Sequence, residues 1–268
     1  NAKLETASAA GGLEAAVQAA IRNHGNGPVW IGYGAPAAEE HNSCCWSGWN
    51  NGRPNGPGGC GLEGQRVVNQ AMPSTGSPVK LEAGASHAIL LRAEQGAVMK
   101  VSGYSLNCPL DAGGLPLVWL KDARPAESVA MLAKRVAQAQ ASQETPAKGK
   151  NKTSDGAIAL IAMHKAPEAD RALEGFLNAS QPESVRKQAL FWLGNSRGRR
   201  GVELVSQAAR NDPSDKVREH AIFALTQSME PQATQEIIRI AKEDRSTHVR
   251  GQALFWLSQM ASRQSAQA

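Results

Sequence analysis

Residues 185–193 read VRKQALFWL, residues 217–225 read VREHAIFAL and residues 249–257 read VRGQALFWL. Successive starts are 32 residues apart, and Val, Arg, Ala, Phe and Leu return at the same offsets each time. A fainter copy lies another 32 residues back, where Ala157, Ile158 and Leu160 hold the places of Ala189, Leu190 and Trp192. Shorter apolar stripes lie between the copies: Leu173, Phe176 and Leu177; Leu204, Val205 and Ala208; Ile237, Ile238 and Ile240. Their spacing is helical and not alternating. Pro167 and Pro231 stand where a first helical turn tolerates proline. Asp212-Pro213-Ser214 and Asp244-Arg245-Ser246 supply capping side chains before the second helix. Each unit therefore reads as helix, turn, helix. One such pair cannot bury its apolar faces alone, and stacking on the next pair supplies the missing partner.

On a helical wheel Val185, Ala189, Trp192 and Leu193 share one face and are expected to form the core stripe. Phe191 falls beside that stripe, towards Lys187 and Gln188. Phe223 and Phe255 occupy the same offset, with His220 and Gln252 at the offset of Gln188. Two readings of this row compete. The phenyl rings pack between neighbouring second helices as core, or they line a groove that takes an apolar segment of a partner. Burial decides between them. Arg186, Arg218 and Arg250 form a parallel ladder, expected to bond to the preceding turns through residues such as Asp212 and Asp244. His220 and His248 carry no mark of metal ligands.

The V-R-x-x-A-h-x-x-L signature and the short period resemble the short HEAT-like repeats first recognised in phycobilisome lyases. That resemblance covers residues 155–261 and implies an α-solenoid that binds a partner. A second resemblance spans the chain. The series WIGY, CCW, GGC and CPLDAGGLP, followed by ESVRKQALFWLG and VRGQALFWL, resembles a group of bacterial envelope proteins that carry a HEAT array. It implies location and architecture but carries no mechanism.

The first half reads differently. Leu13, Ala16, Val17, Ala20 and Ile21 give an amphipathic helix closed by Gly25, and VWIGYGAP from Val29 is a strand ending at Pro36. Residues 88–91 and 97–101, around Glu94-Gln95-Gly96, form a β-hairpin. Residues 117–120 are a further strand, and Pro125 opens a helix carrying Val129, Leu132 and Val136. Between Ser47 and Gly64 lie seven glycines with Pro54 and Pro57, too many for packed secondary structure. Residues 141–153, ASQETPAKGKNKT, hold no large apolar side chain and read as a linker. The expected architecture is thus mainly α. Residues 1–140 form a small disulfide-stapled α+β domain with a Cys/Gly-rich loop, and 154–268 form an α-solenoid of short HEAT-like helix pairs.

Four cysteines, Cys44, Cys45, Cys60 and Cys108, all lie in the loop-rich half. An even number in such a segment reads as two disulfides in an oxidising compartment, with three connectivities open. A bond between adjacent Cys44 and Cys45 has the poorest geometry. His41 with Cys44, Cys45 and Cys60 also offers thiolate and imidazole ligands for zinc, but the spacing matches no CxxC knuckle. A Cys–His nucleophile needs one unpaired, activated thiolate beside a base. The expectation is disulfides, no metal and no cofactor. The chain has no P-loop or HExxH motif, and Asp111 before a double glycine reads as a turn residue.

Charge excludes little. The net charge is +5, with 13 Lys and Arg against 11 Asp and Glu in residues 1–150, and 16 against 13 in 151–268. Neither half is a polybasic tail, so nucleic acid is not the expected partner. Arg197, Arg199 and Arg200 make the densest basic cluster, read as a solvated corner. No apolar run reaches the ~18 residues of a membrane span, and the chain starts at Asn1 without a visible signal peptide. With the cysteines, this points to a periplasmic or secreted protein whose signal was removed. The functional expectation is a non-catalytic envelope scaffold that docks a protein partner at Gln188, Phe191, His220, Phe223, Gln252 and Phe255. The alternative, allowed by the short-repeat resemblance, is a chromophore-lyase-like enzyme acting in the groove.

Overall fold

The structure is a computed structural model that describes residues 4–38, 60–63, 87–106, 110–141 and 153–267. Cys44, Cys45, Cys108, His41 and nearly all of the expected linker at 141–153 lie outside the described residues, as does the side chain of Cys60. The disulfide and zinc readings fall there with them.

The chain divides into two compact units. The first comprises Asn1–Leu160 with His164–Ala166, the second Ile161–Met163 with Pro167–Ala268. In chain order the first contains β1 (Leu4–Ser8), α1 (Leu13–Asn23), β2 (Val29–Ala35), β3 (Cys60–Gly61), β4 (His87–Glu94) and β5 (Ala97–Ser105). It continues with β6 (Leu110–Asp111), β7 (Leu117–Lys121), α2 (Pro125–Ala141) and α3 (Thr153–Met163). The helix, strands and hairpin expected at 13–21, 29–36, 88–101, 117–120 and from 125 are all present. The short strands β1, β3 and β6 were not expected.

Among the described residues the main sheet has five strands in the order β1-β7-β2-β4-β5. β7 runs parallel to both β1 and β2, whereas β2-β4-β5 is antiparallel. The centre of the sheet is covered on both faces, so β2 is apolar throughout and its Trp30, Ile31 and Tyr33 are completely buried. On one face Trp30, Leu62, Ala88, Leu90, Tyr104, Ala112 and Trp119 form a core cluster. Gly32 permits that closure: a Cβ there would lie 2.6 Å from Leu90 and 2.9 Å from Trp119. Beneath it Asp111 does act as a turn residue, its Oδ1 accepting the Gly113 N–H at 2.9 Å.

Helices cover the opposite face. The Tyr33 hydroxyl meets Ser128 Oγ of α2 at 2.8 Å, and His164 Nε2 meets the same oxygen at 2.8 Å. All three residues are buried, and burial pushes the Tyr33 phenol well above its ordinary pKa. α3 lies against the sheet on this side. A Cβ on Gly156 would meet Val101 O at 2.8 Å, and one on Gly103 would collide with Leu160. The faint fourth copy of the repeat is therefore a helix, yet most of it belongs with the sheet. The division between units falls in and just after α3 and not in the expected linker. Thr153 and Ser154 stand where the repeats have Val and Arg, and Ala157 to Ala162 are buried all round. A helix apolar on every side needs neighbours around it, not the one-sided stack of a repeat.

The second unit is built of three helix pairs among the described residues: α4 (Pro167–Phe176) with α5 (Glu183–Ser196), α6 (Gly198–Asn211) with α7 (Asp215–Thr226), and α8 (Pro231–Glu243) with α9 (Thr247–Gln267). Val185, Val217 and Val249 are each the third residue of the second helix, and all are buried. The 32-residue register is thus structural as well as textual. Two glycines set the closeness of the stack. A Cβ on Gly194 would lie 2.3 Å from Ala224 O, and one on Gly201 would lie 1.9 Å from Leu193 O.

Two of the second-helix arginines, Arg186 and Arg218, each span two turns. Arg186 places Nε 2.9 Å from Asp212 Oδ2 and donates backwards to the Ala179 and Gln181 carbonyls. Arg218 donates to Asp244 Oδ2 at 3.0 Å and back to Asp212 O at 3.0 Å. The expectation of bonds to preceding turns holds for the backbone carbonyls, with one further contact from Arg218 back to Asp215 Oδ1 at 2.8 Å, but not for the Asp212 and Asp244 carboxylates. The carboxylate of each pair comes from the turn that follows, 26 residues on. Each aspartate also fixes the start of its own helix, Asp212 accepting from Ser214 N at 2.9 Å and Asp244 from Ser246 N at 2.8 Å. Removing one member of a buried pair strands the other charge, which typically costs about 3–5 kcal/mol. Asp244→Ala should therefore destabilise the chain by that order in urea unfolding, and adding Arg218→Met should recover much of the loss. A double variant as unstable as the single one contradicts this.

Candidate protein-docking surface

The second helices α5, α7 and α9 place their Phe residues in one row because the offset is the same in each repeat. Phe191 and Phe223 stack, with ring centroids 6.1 Å apart and planes inclined by 13°. Phe223 next meets Trp256 at 5.3 Å, not Phe255. Phe255 lies edge-on to Trp256 at 5.4 Å, and Phe191 edge-on to Trp192 at 4.9 Å. The row is therefore a mixed aromatic strip of five rings. Such pairs contribute about 0.5–1.5 kcal/mol each beyond simple area burial.

None of the three Phe is fully buried. Phe191 and Phe223 are half-buried and Phe255 is 51% exposed. Trp192, assigned to the core stripe on the wheel, is only half-buried, whereas Leu190 is completely enclosed. The true stripe is Val185, Ala189, Leu190 and Leu193. The wheel is a single-helix construction, and it misplaced this pair because stacking on α7 covers the Leu190 side. One signal for the strip was present: the middle repeat has Ala224 where the outer two have Trp192 and Trp256. Ala224 is the residue that meets Gly194 at the close crossing, so no indole fits there.

The polar neighbours also sit where the offsets put them. Gln188, His220 and Gln252 are all half-buried. His220 lies 5.7 Å from the Phe223 ring. The Gln188 side-chain oxygen is enclosed and has no hydrogen-bond partner among the described residues. The strip thus combines apolar rings with amide and imidazole edges. The basic cluster is different in character. Arg197 pairs with Asp170 at 2.9 Å, Arg199 with Glu203 at 3.7 Å, and Arg200 with Glu174 and Glu203. Its charges are balanced locally. No helix of the described residues is long and apolar enough to cross a membrane.

The family model of HEAT repeats matches residues 171–258, which takes in nearly all of the three helix pairs. This segment is a HEAT-repeat array. No curated protein matches the chain. The array matched by the family contains every residue of the aromatic strip and both complete Arg–Asp pairs.

Burial, followed by the positive charge of Lys187, holds the His220 pKa below its usual value, and a hydrogen bond to the Lys187 backbone opposes the shift. The folded chain therefore favours the neutral ring more than the unfolded chain does. That contribution to stability is complete above the unfolded value of about 6.5 and is lost as pH falls through it towards the lower folded value. His220→Gln should remove this component. The difference in thermal midpoint between about pH 7.5 and pH 5 should be smaller in the variant than in the parent chain.

Proposed function

We propose that the HEAT array is a non-catalytic docking and scaffolding module of the bacterial cell envelope, and that it holds a protein partner along the strip of Phe191, Phe223 and Phe255. The observation that carries this reading is the partial exposure of all three rings in one continuous row. HEAT repeats commonly mediate protein–protein interaction. Aromatic anchors with polar edges have the composition of an interface hot spot and its surround. Gln188, His220 and Gln252 supply the edges, and the enclosed Gln188 oxygen offers an acceptor to a partner's N–H after a small rotation.

The envelope placement rests on the sequence. Cys44, Cys45, Cys60 and Cys108 are confined to the Gly-, Asn- and Pro-rich half, and two disulfides among them would staple the long loop in an oxidising compartment. Each closed loop of this kind contributes roughly 2–4 kcal/mol.

Two measurements test the proposal. The chain is used to capture proteins from an envelope extract of its native source, and the recovered partner is then titrated against variants. Phe223→Ala and Phe255→Ala should each weaken binding by roughly 1–3 kcal/mol, with Phe255→Ala leaving the melting temperature nearly unchanged. Unchanged affinity together with a large loss of stability returns the rings to the core and ends the docking reading. Separately, the intact mass of the natively isolated chain should rise by four hydrogens on reduction. Free thiols or bound zinc refute the staple.

A further inference from the structure

The array treats its repeats unequally at one end. Leu190 and Ile222 are completely buried, whereas Leu254, at the same offset in α9, is 59% exposed. Leu193 and Leu225 are likewise enclosed, and Leu257 is half-buried. Arg186 and Arg218 each hold the aspartate of the following turn, Asp212 and Asp244. Arg250 makes the backward bonds of the series, to Asp244 O at 2.7 Å and to Thr247 Oγ1 at 3.1 Å. No carboxylate pairs with it among the described residues. Arg250, Leu254 and Leu257 stand at i, i+4 and i+7, so they share one face of α9.

What would complete this face is written in the two interfaces already formed. In both, a helical hairpin covers the leucine or isoleucine and presents an aspartate from its turn to the arginine. We propose that the exposed face of α9 is a socket for an amphipathic helical hairpin of another protein, with an aspartate in its turn at the place of Asp212 and Asp244. Charge complementarity selects this occupant. α9 carries no Asp or Glu, so two α9 faces brought together supply cations without a counter-charge. Head-to-tail stacking of a second copy is no better, because the first hairpin has Ser180 where the others have Asp212 and Asp244. This socket rests on packing and charge inside the array and is independent of the aromatic strip.

The test uses the full chain and a labelled synthetic peptide copying residues 198–229, which includes the turn with Asp212. Fluorescence anisotropy should show saturable binding. Asp212→Asn in the peptide, or Arg250→Gln or Leu254→Ser in the chain, should weaken it at least about tenfold. Arg250→Gln and Asp212→Asn combined should weaken it no more than either alone, as expected of one shared pair. Phe191→Ala should leave this binding unchanged, which separates the socket from the aromatic strip. Because a short hairpin folds poorly by itself, a second chain is prepared in which a copy of residues 228–259 follows Gln259 in register. Its melting temperature should exceed the parent's, and Asp→Asn at the added copy of Asp244 should remove much of the gain. Peptide binding that ignores Arg250 and Leu254 overturns the proposal. So does an extension that docks while no peptide binds, since the face then takes only a covalently continuous repeat. Self-association of the chain in sedimentation, abolished by Leu254→Ser, assigns the face to a second copy and overturns it equally.

Discussion

A guanidinium removed from water has to be paired, and in this array the pairing also measures distance. Arg218 is completely buried, and its carboxylate partner Asp244 arrives from the next turn, 26 residues along the chain. The same separation joins Arg186 to Asp212. Were either helix pair to slip by one residue against its neighbour, a charged group would be left enclosed without a counter-ion, at a cost of several kcal/mol. The aspartate does a second service by accepting the N–H two residues on, so the start of a helix and its distance from the previous helix are set by one side chain. Solvent-facing pairs such as Arg210 with Glu236 repeat the separation of 26 but add little, being screened by water.

With register held by charge, the aromatic rings need not serve as core. The enclosed stripe is aliphatic and small at the crossings, where Gly194 approaches Ala224 and Gly201 approaches Leu193. Phe191, Phe223 and Phe255 are left in a row that neither the core nor the salt links require. A row that is partly exposed, repeated at every step and bordered by Gln188, His220 and Gln252 is the part of the array free to be used by something else.

The sequence made the array legible because identical residues at identical offsets report on one another. Val185, Val217 and Val249 announced the period, and Asp212 and Asp244 announced the turns. Which side of α5 is covered was less legible. The wheel put Trp192 inside and left Leu190 unassigned, since the direction in which α7 stacks is a property of the pair. The direction of the Arg–Asp links was misread for the same reason. In the other unit, VWIGYGA and the Gln95-Gly96 turn were readable from local pattern. β1 was not, because its residues 4–8 are mostly exposed and show no alternation. α3 was half readable: its helical content followed from the faint repeat, but its place on the sheet depends on Gly103 and Gly156, single residues that say nothing until their neighbours are known.

The order of strands has a consequence for how the first unit comes into being. β7 is inserted between β1 and β2, so Thr6 and Gly32 both lie beside Trp119. During synthesis from the N-terminus, the antiparallel ribbon β2-β4-β5 can pair internally once residue 105 has emerged, while the other edge of β2 waits for β7. β1 has no partner until residues 117–121 follow it out, and pairings between such distant segments form slowly. For that interval the first strand of the chain is also the last to find its place, and its backbone donors and acceptors face water.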